Sequence, residues 1–246
     1  MVRVEKFGDA TLYLGDYRNV LPTLTDVDAV VMDPPYGMKY NTDSRRFTLN
    51  LKNVSPRGQG RADRKIAGDA GAFDPTPFLG FRQVITWGAN HYAQRLPVGS
   101  TLIWLKKSAQ HYGTFLSDAE IGWQMGGHGV YAFYAQDSNA RRRMEFTGST
   151  FGGGTAHPTQ KPIALMEWCV SRVKGETILD PFMGSGTTGV ACARLGRKFI
   201  GVEIDEKYFD IACFRIAREH KATKTLSDRL ADLGDAVDRL TTSLTS

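Results

Sequence analysis

Apolar positions follow two rhythms along this chain, and the change between them falls near residue 160. In the first part they come as short runs separated by turn residues. Residues 4–16, VEKFGDATLYLGD, read as a β-hairpin turning at Gly8-Asp9. DAVVMD (28–33) is almost wholly apolar, the pattern of a parallel strand covered on both faces. RQVITWG (82–88) and STLIWLK (100–106) are further strands, and NHYAQRLP between them reads as a short helix ended by Pro97. AEIGWQM and VYAFYAQ predict a hairpin around Gly126-Gly127. Two stretches carry no period: 38–72, and the polar, basic, glycine-rich 136–156. Both are expected to be loops, and a loop as long as the first is functional or disordered.

From residue 162 strands and helices alternate. PIALMEWCVSRV (162–173) has helical spacing with Pro162 at its start. TILD (177–180) is a buried strand, TTGVACARLG (187–196) a helix ended by Gly196, KFIGVEID (198–205) a strand and EKYFDIACFRIAREH (206–220) a helix. Such alternation implies an α/β fold, a mostly parallel sheet with helices on both faces. In the tail, Leu226, Leu230, Leu233, Val237, Leu240 and Leu244 form a heptad seam, weakened by Gly234. The expected organisation is one domain over 1–224, followed by an amphipathic helix at 225–246. That helix either packs on its own domain or pairs with a second copy in a homodimer.

Composition changes this picture little. The chain has 246 residues, no apolar run long enough to span a membrane and no apolar leader, so a cytoplasmic protein is expected. Cys169, Cys192 and Cys213 are odd in number and far apart, which argues for reduced thiols and against a zinc site, and no metal is expected. Net charge is +5, a mild pointer to a polyanion. Its distribution says more. Arg45, Arg46, Lys52, Arg57 and Arg61 crowd the first loop, and Arg141, Arg142 and Arg143 stand together in the second. Such residues contact phosphates and give affinity without sequence preference.

Chemistry gathers at two strand ends. LDPFMGSGTTGVAC (179–192) joins strand to helix through Gly184, Gly186 and Gly189, and Glu203 ends the next strand 19 residues after Gly184. The pattern suits a ribose-bearing cofactor. A nicotinamide dinucleotide is one reading. Against it, Asp180 precedes the loop and would repel a pyrophosphate, whereas the ammonium and sulfonium of S-adenosylmethionine would welcome it. The P-loop reading fails, since no Lys follows the glycines.

The other strand end is VVMDPPY. Asp33 is expected at the carboxyl edge of the sheet, where open α/β sheets bind ligands. A base's exocyclic amine is a poor nucleophile, its lone pair being delocalised into the ring. The Asp33 carboxylate and the Pro34 carbonyl form an acceptor pair for its two hydrogens, and Pro34 and Pro35 hold that pair preorganised. Tyr36 offers a face on which an extruded base can stack. Trp87, Asn90, His91 and Tyr92 follow a strand end and are candidates for the base pocket, Trp87 and Tyr92 equally for the core.

DPPY at 33–36, HPTQKP at 157–162, LDPFMGSGTT at 179–188 and GVEID at 201–205 resemble, in residues and order, the β-class amino-group DNA methyltransferases. The resemblance implies a Rossmann-like S-adenosylmethionine-dependent fold, a doubly wound, mostly parallel seven-stranded sheet with inserted loops for target recognition. It implies double-stranded DNA as partner, entered by base flipping. Asp33, Pro34, Pro35 and Tyr36 would be catalytic. Asp180, Phe182, Gly184, Ser185, Gly186 and Thr187 would border the methionine part of the cofactor, together with Asp33. Glu203 would bind the ribose, Asp16 would lie near the adenine, and His157, Thr159 and Lys161 would approach the carboxylate. DPPY leans toward adenine, with cytosine as the alternative. Residues 38–72 and 107–156 would have to recognise the target, fewer than the family commonly uses.

Overall fold

The computed structural model describes residues 3–37, 71–114, 117–147 and 160–245. Its elements are β1 (Arg3–Phe7), β2 (Ala10–Leu14), α1 (Tyr17–Val20), β3 (Ala29–Met32), β4 (Val84–Trp87), β5 (Gly99–Leu105), β6 (Ala119–Tyr134), α2 (Asn139–Thr147), α3 (Ile163–Ser171), β7 (Thr177–Asp180), α4 (Thr187–Arg194), β8 (Lys198–Glu203) and α5 (Glu206–Thr245). They build one sheet ordered β1-β2-β8-β7-β3-β4-β6-β5. β2, β8, β7, β3 and β4 run parallel, as the alternation of strand and helix predicts. The sheet has eight strands where seven were expected, because the N-terminal hairpin keeps both its strands and β1 becomes an added antiparallel edge.

The middle strands are rich in apolar residues, and β3 is wholly apolar, because both their faces are covered. In β3, Val31 joins a core with Leu165, Cys169, Val190, Phe209 and Ile216 of α3, α4 and α5. Its neighbours Val30 and Met32 face the opposite way, into an aromatic layer with Phe73, Phe78 and Tyr92. Among the described residues, full helices cover one face, and the other carries α1 and short 3-10 turns. All three cysteines are buried, and burial pushes the thiols of Cys169 and Cys213 up to about 12 and about 11. Among the described residues no helix is long and apolar enough to cross a membrane.

Four expectations are corrected. AEIGWQM and VYAFYAQ do not pair with each other. Leu105↔Ala119 to Thr101↔Trp123 runs antiparallel, while Thr101↔Val130 to Leu105↔Tyr134 runs parallel, so β6 passes along one side of β5 and returns along the other. Gly126 and Gly127, at φ 78° and 72°, make the bend around the start of β5. Second, 136–156 is not all loop. Ser138 accepts the Arg141 N–H at the start of α2, and Arg141 bonds Asp137 and Glu145 one turn to either side. Third, NHYAQRLP forms two 3-10 turns, Ala89–His91 and Ala93–Arg95, rather than one helix. Fourth, the two C-terminal helices are one, α5, with 40 residues and therefore a length of about 60 Å.

Candidate active site

The strand order reverses between β7 and β3, which are hydrogen-bonded neighbours. Asp180 ends β7 and Asp33 follows β3, so the glycine loop and DPPY open at one crevice. Each motif brings one half of it, and only the sheet brings the halves together.

On the β7 side the backbone is shaped for a close approach. Gly184 (φ 51°) has nothing within 4 Å of where a Cβ would stand, which leaves the loop open there. Gly186 (φ 78°) starts α4 in the left-handed region, and a Cβ on Gly189 would come 2.4 Å from Ile216, so this glycine serves helix packing. Asp180 is 3% exposed and accepts from the Phe182 N–H (3.0 Å) and the Thr188 hydroxyl (2.5 Å). Burial nonetheless pushes its carboxyl up to about 7. Glu203 also stands above the usual carboxylate range through burial. Its two oxygens take the N–H groups of Gly184 and Asp205, both at 2.8 Å, so Glu203 ties the loop to the next strand end. Ser185 and Thr187 accept from the buried Arg215, which is held down to about 10 by burial. The Phe182 ring packs on Tyr17, Phe73 and Phe78. Asp16 caps α1 and pairs with Arg18, whose guanidinium holds it low.

On the β3 side the Asp33 carboxylate is already occupied. Oδ1 accepts the Tyr36 hydroxyl at 2.5 Å and Oδ2 accepts the Lys161 ammonium at 2.6 Å. Lys161 is 7% exposed and lies 3.0 Å from Glu120, which in turn meets Lys106 at 2.7 Å. Burial raises the Glu120 carboxyl, but Lys161 and Lys106 more than reverse this and hold it at about 2. Burial likewise lowers Lys161, and Asp33 and Glu120 turn that into a net rise. The Tyr36 ring lies against Gly88, where a Cβ would come 2.0 Å from it, and stacks on His91 at 5.0 Å. Trp87 and Tyr92 are core, and the Tyr92 hydroxyl bonds the Trp87 carbonyl.

Three expectations change with this geometry. Lys161 sits on Asp33 and Glu120, because a buried ammonium takes the nearest carboxylates. The Tyr36 face expected to be free is covered by His91, and its hydroxyl takes an acceptor position expected for the amine. Arg141 and Arg142 are spent on Asp137 and Glu145, which neutralise their charge. Arg143 lies in the same helix, partly buried. Arg45, Arg46, Lys52, Arg57 and Arg61, and His157 and Thr159, lie outside the described residues. Glu120, Glu145 and Gln160 were missed by sequence reasoning. Gln160 lies inside HPTQKP but carried no assigned role, no motif marks Glu120 or Glu145, and long-range contacts reveal all three: Glu120 meets Lys161, and Glu145 accepts from Gln160 and from the N–H of Ile163 at the start of α3.

Residues 103–214 match the family model described as DNA methylase. A stretch of 67 residues is 51% identical to the Type II methyltransferase M2.DpnII of Streptococcus pneumoniae, covering 26% of this chain and 25% of that protein. A stretch of 62 residues is 52% identical to M2.LlaDCHI of Lactococcus lactis subsp. cremoris, covering 24% and 23%. The matched stretches thus span about a quarter of these curated relatives. Among solved structures, the putative DNA modification methylase TTHA0409 of Thermus thermophilus aligns with a TM-score of 0.50 at 21% identity, over 85% of this chain and 94% of that one. The cytosine-N4-specific PvuII DNA methyltransferase aligns with a TM-score of 0.51 at 16% identity, over 89% and 93%. These two likenesses show the fold. The chain resembles the amino-group DNA methyltransferases.

Proposed function

We infer that this chain, similar to amino-group DNA methyltransferases, transfers a methyl group from S-adenosylmethionine to the exocyclic 6-amino group of adenine in double-stranded DNA. The observation that carries the reading is the meeting of Asp33 and the glycine loop at the reversal of strand order. The crevice suits this cofactor. A buried acid ends β7, a second acid ends β8, and the first glycine of the loop leaves room for a ligand against the backbone. Asp180, Phe182, Gly184, Ser185, Gly186 and Thr187 would hold its methionine part, Glu203 its ribose, and Asp16 would lie near its adenine. His157, Thr159 and Lys161 belong to the same proposal, with Lys161 acting from its seat beside Asp33. When bound, S-adenosylmethionine supplies an activated methyl on a sulfonium, so the protein needs no metal for this chemistry.

The protein's part is positioning and electrostatics. Asp33 and the Pro34 carbonyl accept the two amine hydrogens and restore lone-pair density to the nitrogen, while Pro35 fixes the backbone behind them. Asp33 Oδ1 becomes free for the amine when Tyr36 turns its hydroxyl away. That same motion releases the ring from His91 to stack on the flipped base. Arg45, Arg46, Lys52, Arg57, Arg61 and Arg143 contact DNA phosphates in this reading, while Arg141 and Arg142 hold α2 in the target-recognition region. The heptad seam of 225–246 either packs on its own domain or pairs two copies, and the site of action is the cytoplasm.

A second reading has one specific support: the acceptor pair serves the 4-amino group of cytosine by the same geometry. Sequencing the modified bases in DNA from expressing cells separates the two. Methyl on adenine N6 supports the first reading, methyl on cytosine N4 the second, and unmodified DNA from cells holding folded protein overturns both.

A further inference from the structure

We propose that Glu120, which belongs to no motif, is a positioning residue that sets how tightly Lys161 holds the catalytic carboxylate. The proposal rests on the methyl-transfer reading above.

The Lys161 ammonium is buried and lies 2.6 Å from Asp33 Oδ2, 3.0 Å from Glu120 Oε2 and 3.2 Å from the Tyr36 hydroxyl. An ammonium buried beside a single carboxylate would draw most of its stabilisation from it, since a hydroxyl or a ring nearby carries no opposing charge. Asp33 would then be a poor acceptor for an amine. Glu120 draws the ammonium from the other side. Its remaining oxygen takes Lys106 at 2.7 Å, and Lys106 also faces Asp137 at 3.9 Å. Asp33, Lys161, Glu120 and Lys106 therefore alternate in charge and sum to zero.

Neutrality matters for the reaction, since positive charge develops on the amine nitrogen as the new N–C bond forms. Without Glu120 the group carries one net positive charge, and Lys161 turns wholly to Asp33. Both changes oppose the reacting amine and leave the glycine loop untouched. The fold supplies this link. Glu120 stands opposite Trp104 in the β5–β6 pairing, so the strand that wraps β5 brings its acid between Lys161 and Lys106.

The test is Glu120→Gln, which keeps size and removes the charge. The full-length protein is assayed for single-turnover methyl transfer at saturating S-adenosylmethionine and DNA, with cofactor and DNA affinities measured alongside. The expected result is a rate lower by about tenfold or more, with both affinities within about twofold of the wild type. If Glu120→Gln does not fold, Glu120→Asp withdraws the carboxylate by about 1.5 Å, one C–C bond. A several-fold loss of rate with unchanged affinities is expected there. A wild-type rate in the folded variant overturns the proposal. So does a rate loss that only follows weaker cofactor binding, the mark of a merely structural role. In either case an active wild type leaves the methyl-transfer reading standing. A wild type that methylates no DNA overturns both.

Discussion

Replacing Asp180 by Asn removes a buried charge and can keep both of its hydrogen bonds. The amide oxygen accepts the Phe182 N–H, and the amide nitrogen donates to the Thr188 hydroxyl. The carboxyl it replaces lies at about 7, raised by burial from an ordinary 3.8. An acid raised in the folded state binds its proton there between these values while the unfolded chain has released it. The folded state is therefore favoured at low pH, and this contribution is lost as pH rises through that window. At 1.36 kcal/mol per unit, the wild type loses about 2.7 kcal/mol between pH 5 and pH 8 through this one group. The variant has no such loss. Urea unfolding of both proteins at the two pH values measures the difference, since other titrations cancel between them. The stability of the variant relative to the wild type should grow by about 2–3 kcal/mol from pH 5 to pH 8. The same difference at both pH values would refute the reasoning. If S-adenosylmethionine binds as proposed, the variant should also bind it more weakly at pH 8, by about tenfold or more in titration calorimetry, because it lacks the acid that would meet the cofactor's positive charge.

Asp33→Ala should abolish methyl transfer while the glycine loop still binds the cofactor, and normal turnover in it would sink the mechanism. Gly189→Ala drives a methyl toward Ile216 and Phe199 inside the α4–α5 contact. It should cost about 1–3 kcal/mol in urea unfolding, and an unchanged midpoint would contradict that packing. Arg141→Ala should lower stability by about 1–3 kcal/mol, because it leaves Asp137 and Glu145 short of a partner. The salt dependence of DNA binding should stay the same, and a slope reduced by one phosphate contact would return Arg141 to the DNA. Deleting 225–246 should halve the mass in light scattering if the heptads pair, and an unchanged mass rejects the dimer.

Much of the architecture is legible along the chain because it depends on local rules. Val30 and Val31 read as a strand buried on both sides, and each indeed joins a different core. The glycines of 184–189 read as a loop against a helix, and the positive φ of Gly184 and Gly186 and the close contacts of Gly186 and Gly189 agree with this. α2 was not legible. Its sequence, NARRRMEFT, has no apolar stripe, and its ends are held by Ser138 and by ion pairs that a hydrophobic period does not register. The wrapped β6 was not legible either. Two apolar runs around a glycine pair signal a hairpin locally, and nothing in them says that a third strand lies between.

By itself the sequence determined which strands are covered on both faces, where the backbone turns left-handed at glycine, and that an acid stands at the end of each of two strands. Those follow from side-chain type, spacing and the steric limits of the peptide unit. Only the tertiary structure decided that β7 and β3 are neighbours, so that Asp180 and Asp33 open on one crevice. It alone also decided that Lys161, 128 residues along the chain from Asp33, is shared between that acid and Glu120. A buried charge takes whichever opposite charge the packing brings near, and separation along the chain carries no information about that.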